Sequence, residues 1–569
     1  MLKKFLFFIL LLVSGTVRGQ VVYEDINNAS VYEFLDELAN MKVITLNSAV
    51  KPFSRACIAE KLREALAADD LAAANPGGKA PRLNKRQRKE LNFYLQDYQF
   101  EKVARHDHGD SLRLADNYRY KLGFLALKQR DMAVALNPIG FHYRDSLFTL
   151  SIRPILGFNW MTNEHASEYH RWWGGSVFGY VGKNFGFYAN LRDNNESVPM
   201  STTEYFTTQQ GAVYKYSLSG AVYFSEMRGG VNASVKWGSV GIMVDHIAWG
   251  DNYHGANIIS GKAPAFPYLM VHLNPVKWFD FNYMYGWLNS NVTDSSRSYQ
   301  TPDFYRQVSY NKYIAASMIT FIPWRGLYLS VGNSVIYSDA RVNPVYLVPF
   351  FFFNTLHATK TSLTNNSGSN PQLFFNFSSR QIRHLHLFMS IFLDDWKLSR
   401  FTAKDQYNFT SFKAGARLSN FPVQNLSVTA EYTHTTPMTY DHFLSTTTFA
   451  SNGYSMGNYL RGNSQEIFLS LSFHPVRGLQ VSTSYTVAKH GDEPPYLSGA
   501  GNSVYQVPFI KNLAWQGHAL EVSLKYEFVS NGFFLVRYVN SNNSVDAYYQ
   551  PDFLAGRTNT VSLGINIGF

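Results

Sequence analysis

The chain has 569 residues, enough for more than one compact unit, and pairs a 46% hydrophobic share with a slightly negative mean hydropathy, which excludes a bundle of transmembrane helices. Aromatic residues reach 16%, with 37 Tyr and 44 Phe, an excess that suits a sheet protein with aromatic belts at two membrane interfaces. The formal charge is +10, and the single cysteine, Cys57, excludes an intramolecular disulfide framework and reads as a small core residue of its helix.

The first nineteen residues read as a secretory signal: Lys3 and Lys4 supply the charged start, Phe5 to Val13 the apolar centre, and cleavage is expected near Gly19 or Gln20. No later stretch approaches the length of about 18 apolar residues needed for a spanning helix, so the exported chain can enter a membrane only as closed strands. Removing Lys3, Lys4 and Arg18 lowers the net charge from +10 to +7. Residues 20–110 carry −1, with 13 basic and 14 acidic residues, which leaves +8 on the remainder. A basic lumen or rim attracts acidic polymers such as uronic-acid polysaccharide or lipopolysaccharide phosphate; a solvated lumen without a ligand fits the same charge.

Residues 20–110 are predicted to form a helical domain on the periplasmic side. Ser30 and Glu33 predict a capping box ahead of Val31, Phe34, Leu35, Leu38 and Met41 at helical spacing. A second helix follows Pro52, with Ser54 as N-cap and Ile58, Leu62, Ala65 and Leu66 on one face. After an Ala-rich, Pro-Gly linker at 72–81, a third helix runs from about Asn84, with Leu91, Leu95 and Tyr98 inward. Its basic run, Lys85, Arg86, Arg88 and Lys89, reads as a solvated helix face, since export argues against nucleic acid.

From about residue 111 the period becomes two, and residues 111–569 are predicted to form a transmembrane antiparallel β-barrel of about 18 strands. Leu520, Val522, Leu524, Tyr526 and Phe528 alternate with Glu521, Ser523, Lys525 and Glu527, and 426–432 and 479–487 repeat the pattern. Local alternation fits a soluble sandwich equally well. Three features favour the barrel. The chain ends on an amphipathic strand, Val561 to Phe569, whose terminal Phe resembles the signal read by the barrel-assembly machinery. Short Pro-led turns recur at Pro275, Pro323, Pro422 and Pro475, with weaker ones near Gly182-Lys183, Gly229-Gly230, Ser378-Ser379 and Asn531-Gly532. Eight short turns leave nine two-strand units, the first strand near 146–159 and long outer loops at 161–170, 193–210, 289–308, 354–370, 434–464, 489–517 and 540–557.

No strong catalytic or metal pattern appears, and no cofactor is expected. Gly255 and Gly261-Lys262 mimic a phosphate loop, but Ala263 stands where Ser or Thr is required. His384 and His386 would share one strand face as lumen or interface residues. Asp245-His246 would seed a hydrolase dyad only if a nucleophile joined it. The densest Trp-Gly-Pro cluster, 247–268, interrupts the alternation and would fold inward to constrict the barrel. Trp249, Asp251, Tyr253 and His254 offer it flat faces and polar tips suited to sugar rings; an aromatic-packed loop without a ligand is the alternative.

That run, with Trp249-Gly250, Gly255, Ser260, Ala263-Pro264 and Phe266-Pro267, resembles the Wzi family of outer-membrane capsule-assembly proteins. So does the run from Gly332-Asn333-Ser334 through Tyr337, Arg341 and Asn343-Pro344 to Pro349. The resemblance implies an 18-stranded barrel behind a small helical periplasmic segment, and a lectin-like, non-enzymatic role in retaining capsular polysaccharide at the cell surface. It carries over no catalytic residue. The expected carbohydrate-binding residues are therefore Trp249, Asp251, Tyr253 and His254, with Arg341 meeting an acidic sugar. An anion-preferring channel or transporter is the alternative, and a barrel hydrolase a lesser one.

Overall fold

The computed structural model describes residues 21–75, 81–101, 132–216, 220–353, 368–403, 406–493 and 501–569. The expected signal segment, the boundary near residue 111, half of the linker and most of the 354–370 loop lie outside these residues.

Three helices come first: α1 (Ala29–Asn40), α2 (Arg55–Ala74) and α3 (Lys85–Asp97). Their apolar stripes form one core, with Val31, Leu35, Leu38, Ile58, Leu62 and Leu91 buried, each such side chain worth about 1.5–3 kcal/mol when removed from water. Ser54 caps α2 by accepting from the Cys57 N–H, and Asn84 caps α3 in a reciprocal box with Gln87. The box expected at Ser30 and Glu33 does not form. Asn28 is the N-cap, and the two side chains turn to the barrel wall, where Ser30 accepts from Lys525 at 2.7 Å and Glu33 from Gln480 at 3.0 Å. The basic run on α3 departs from a solvated face as well, because Arg86 is buried in an ion pair with Glu37 and Arg88 meets Asp69 at 2.5 Å.

Eighteen antiparallel strands close into a barrel. They are β1 (Phe148–Thr162), β2 (Ser167–Val181), β3 (Phe185–Glu196), β4 (Val222–Val235), β5 (Gly238–Asp245), β6 (Phe266–Val276), β7 (Phe279–Thr293), β8 (Ser309–Trp324) and β9 (Leu327–Tyr337). The second half comprises β10 (Asn370–Ser379), β11 (Leu385–Leu393), β12 (Thr410–Ser419), β13 (Leu426–Thr435), β14 (Ser464–Val476), β15 (Leu479–Gly491), β16 (Leu513–Val529), β17 (Gly532–Asn543) and β18 (Arg557–Ile567). Closure pairs β18 with β1, from Val561 opposite Thr162 to Ile567 opposite Leu156. A short leading hairpin, Met132–Leu136 and Ile139–Arg144, pairs with the first residues of β1 on that same edge.

The two-residue alternation sorts side chains between two environments. Leu156, Leu191, Ile242, Leu469, Val522, Val536 and Leu563 stand exposed on the outside, while Arg228, Asp245, Arg380, Lys413, Glu431 and Glu466 point inward and are buried. A closed sheet with an apolar exterior is the form in which strands can meet lipid, since every backbone group is paired within the wall.

Seven of the eight short turns fall where the sequence places them. The turn expected at Gly229-Gly230 does not: those residues sit mid-strand in β4, opposite Val244 and Met243, and the chain turns at Lys236-Trp237. Gly230 is there for close approach, because a Cβ would lie 2.6 Å from that of Met243. One long connection, 394–409, carries no cluster of turn residues and escapes the sequence reading.

Candidate functional site

The helices sit in the short-turn mouth of the barrel and touch strands around its circumference. Arg55 is the hub on one side. It pairs with Glu24 at 2.6 Å, Asp97 at 2.9 Å and Glu101 at 2.9 Å, and Asp97 also holds Arg153 of β1 at 2.6 Å. The two guanidiniums keep the Asp97 carboxyl far below the usual carboxylate range despite its burial. Arg228 of β4 binds both Asp25 and Asp245, Tyr94 donates to Glu527 of β16 at 2.9 Å, and Arg380, just past β10, meets Asp36 at 2.7 Å and Asn40 at 2.8 Å. Breaking one member of such a buried network leaves an uncompensated charge, at a cost of about 3–5 kcal/mol.

The connection between β5 and β6 turns inward, as its composition predicts, and docks on the helical segment. Val50 and Lys51 pair antiparallel with Trp249 and Ala248. Gly250 donates to the Ala49 carbonyl at 2.8 Å, Ser260 to the Met456 carbonyl at 2.7 Å, and Gly261 turns the chain back with φ +73°.

The four loop residues expected to face a sugar are brought together, but against protein. Trp249 is fully buried and edge-on to Phe374 at 5.9 Å. Asp251 exchanges bonds with Asn376, accepting from its side chain at 2.7 Å, and takes a further one from Ser48. The Tyr253 ring lies under the Arg417 guanidinium at 4.5 Å, and its hydroxyl is 2.7 Å from His386 Nδ1. His254 stacks on Phe468 at 4.1 Å, with Nδ1 3.1 Å from Glu466. Below them, Lys413 joins Glu431 at 2.7 Å and donates to the His254 carbonyl at 3.1 Å. Arg341 lies apart, exposed in the connection after β9. Lys262 of the phosphate-loop mimic donates to the Tyr205 carbonyl at 2.6 Å, and burial, helped by Arg461, draws its ammonium down to about 7.

The hydrolase alternative meets specific geometry. His386 Nε2 faces both Ser378 Oγ, at 2.9 Å, and Asp251, at 3.9 Å, so no carboxylate sits on the nitrogen opposite the serine. A triad needs the two on opposite nitrogens. His384 precedes β11 with φ +72° and bonds the Ser419 carbonyl, so the two histidines do not share a strand face. Asp245 is committed to Arg228, and His246 lies 3.0 Å from Glu226 with no serine beside it. Among the described residues no cluster of His, Cys, Asp or Glu is arranged to hold a metal ion. Cys57 is only partly buried and stands outside the helical core, unlike the core residue expected from the sequence; desolvation pushes its thiol up to about 11.

Sequence reasoning missed a second constellation, at the long-loop end, because four separate connections build it. Phe206 stacks on Tyr549 at 4.7 Å and meets Trp515 edge-on at 5.2 Å. Arg461 lies over Phe206 at 5.0 Å and over Tyr549 at 6.0 Å, and pairs with Glu493 at 3.3 Å. Tyr548, mostly exposed, stands edge-on to Tyr549. The one local signal was the Tyr548-Tyr549 pair.

No family model and no curated protein matches the chain by sequence. Its fold is that of Wzi from Escherichia coli, an outer-membrane protein involved in group 1 capsule assembly and described as a carbohydrate-binding β-barrel. The match has a TM-score of 0.54 at 11% identity and covers 97% of this chain and 99% of Wzi. The Pseudomonas aeruginosa barrel OccD3 (TM-score 0.39, 12% identity, covering 73% of this chain and 91% of that one) and Acinetobacter baumannii OccAB2 (0.40, 10%, 73% and 97%) are more distant. The chain is thus an 18-stranded barrel of the outer-membrane type.

Proposed function

We propose that this chain binds surface polysaccharide at its long-loop end, as a closed barrel that neither conducts solutes nor catalyses a reaction. The observation that carries this reading is the occupied lumen. The helical segment lies in the short-turn mouth, and the 246–265 connection is hydrogen-bonded to it from above. Under this reading residues 20–110 sit in the periplasm, the long loops reach the cell surface, and the terminal strand serves the barrel-assembly machinery. Trp249, Asp251, Tyr253 and His254 then act as the clamp that holds the plug.

For the glycan contact we assign the rim cluster of Arg461, Phe206, Tyr548 and Tyr549, with Glu493, and retain Arg341 as a second cation. The exposed Tyr548 ring can stack on a sugar, and the partly exposed Arg461 guanidinium, held over Phe206 and Tyr549, can meet a carboxylate or phosphate. The same rim would meet lipopolysaccharide. The occupied lumen opposes the channel alternative.

Two measurements test the reading. In a strain that makes a surface polysaccharide, deleting the gene is expected to move polymer from the cell-attached to the released fraction, and the complement to restore it; unchanged fractions would refute the role. In planar bilayers the purified protein is expected to stay silent, and stable anion-selective openings would favour the channel.

A further inference from the structure

The connection after β9 runs down the outside of the barrel. Register places Tyr283 and Tyr285 of β7, Tyr313 and Ala315 of β8, and Val335 and Tyr337 of β9 on the outward face, the face on which Phe321, Leu329 and Val331 are exposed. Yet all six are buried. Their cover is the segment 338–353: Tyr346 packs on Tyr337 at 4.5 Å, and Phe350 stacks on Phe281 at 4.7 Å, two residues from the short-turn end of β7.

Polar groups that would be misplaced against lipid serve this strap. The Tyr337 hydroxyl accepts from the Asn343 N–H at 3.1 Å, the Tyr283 hydroxyl donates to the Tyr346 carbonyl at 2.6 Å, and Asn333 Oδ1 accepts from the Phe353 N–H at 3.0 Å. A single 3₁₀ turn satisfies the Tyr346 and Val348 N–H groups, the Asn343 side chain accepts from Val345, and Pro344 and Pro349 have no N–H to satisfy. No charged residue occurs from Val342 to Phe353. What the strap turns outward is Leu347, Val348, Phe350, Phe351 and Phe352, each between 39% and 64% exposed.

Irregular backbone is tolerated at membrane depth only where protein satisfies its polar groups, and the N–H groups of Asn343, Val345, Tyr346, Val348 and Phe353 are satisfied in this way. We propose that the strap lies inside the membrane, with Leu347, Val348 and Phe350 to Phe352 in contact with lipid acyl chains. Its apolar face continues the lipid-facing band of β8 and β9 sideways, so one solvent covers both.

A nitroxide at Phe351→Cys, in full-length protein carrying Cys57→Ser and reconstituted into phospholipid vesicles, reads the environment directly. Val331→Cys on the bare wall marks lipid and Val545→Cys on a long loop marks water. The proposal expects the Phe351 label to collide with oxygen as the Val331 label does, and to be shielded from a water-soluble nickel chelate. Relaxation by the chelate as at Val545 would overturn it. So would shielding from both reagents, which would mean that another protein surface covers the strap. If Val331 itself met the chelate, the membrane reading of the whole wall would fail, an outcome separate from failure of the strap alone.

Discussion

Two stretches of the same wall solve the lipid problem differently. Along β14 to β18 the outward residues are mostly aliphatic and bare, among them Ile467, Leu469, Val481, Leu520, Val522, Leu524, Val536 and Leu563, with Tyr485 and Tyr538 exposed beside them. Along β7 to β9 they include Tyr283, Tyr285, Ser317, Asn333 and Tyr337, and a strap of the chain covers them. The contrast lies in cover: the hydroxyl and amide groups of Tyr283, Asn333 and Tyr337 bond to the strap, whereas Tyr485 and Tyr538 of the bare wall stay exposed. On the covered wall the partner is the backbone of an irregular segment that would otherwise be unfit for hydrocarbon.

Substitutions on each wall test this difference. The largest effect is expected for Val522→Lys on the bare wall, a loss of about 2–4 kcal/mol if the site lies near the bilayer centre, read by urea unfolding from lipid vesicles. Asn333→Leu comes next. On a bare lipid-facing wall it would stabilise; under the strap it leaves the Phe353 N–H without its acceptor and is expected to destabilise by about 1–3 kcal/mol in the same assay. Stabilisation by Asn333→Leu would show that the strap is not docked. Tyr283→Phe removes one hydroxyl donor to the Tyr346 carbonyl and should lose about 0.5–1.5 kcal/mol.

A pH effect probes the inner side, where α3 docks against the bare-walled half. Burial, reinforced by the Glu527 carboxylate and opposed by Arg86, raises the Glu90 carboxyl to about 7. A raised carboxyl binds more protons folded than unfolded. Its contribution is therefore present below the ordinary glutamate range and is lost as pH rises through about 7. Stability should fall between pH 5 and pH 8, and Glu90→Gln should flatten that slope; an unchanged slope would place the titration elsewhere.

Much of this architecture was legible in the sequence, because its cues are local. Two-residue alternation marks a wall strand, Pro and Asn-Gly mark short turns, and Ser54 and Asn84 mark helix starts. The failures share a cause in tertiary contact. Gly229-Gly230 imitates a turn but exists for strand packing, and Ser30 imitates a cap but serves Lys525. Arg86 imitates a solvated cation but pairs with Glu37. At the candidate site the inward loop was readable from its Gly, Pro and Trp content. That its aromatic faces are covered was not, since the covering residues Phe374, Arg417 and Phe468 come from three other strands. The rim cluster was invisible for the same reason, and the strap was half visible: the run Asn343 to Pro349 stood out, with no sign that it lies outside the wall.

The rim assignment stands or falls on binding of an acidic polysaccharide to the detergent-purified protein, wild type against Arg461→Ala with Tyr548→Ala. Binding is expected to be saturable, to weaken as salt rises and to fall at least about tenfold in the double variant, equivalent to about 1.4 kcal/mol. Absence of saturable binding by the wild type at low salt, or equal binding by a folded double variant, would contradict the assignment.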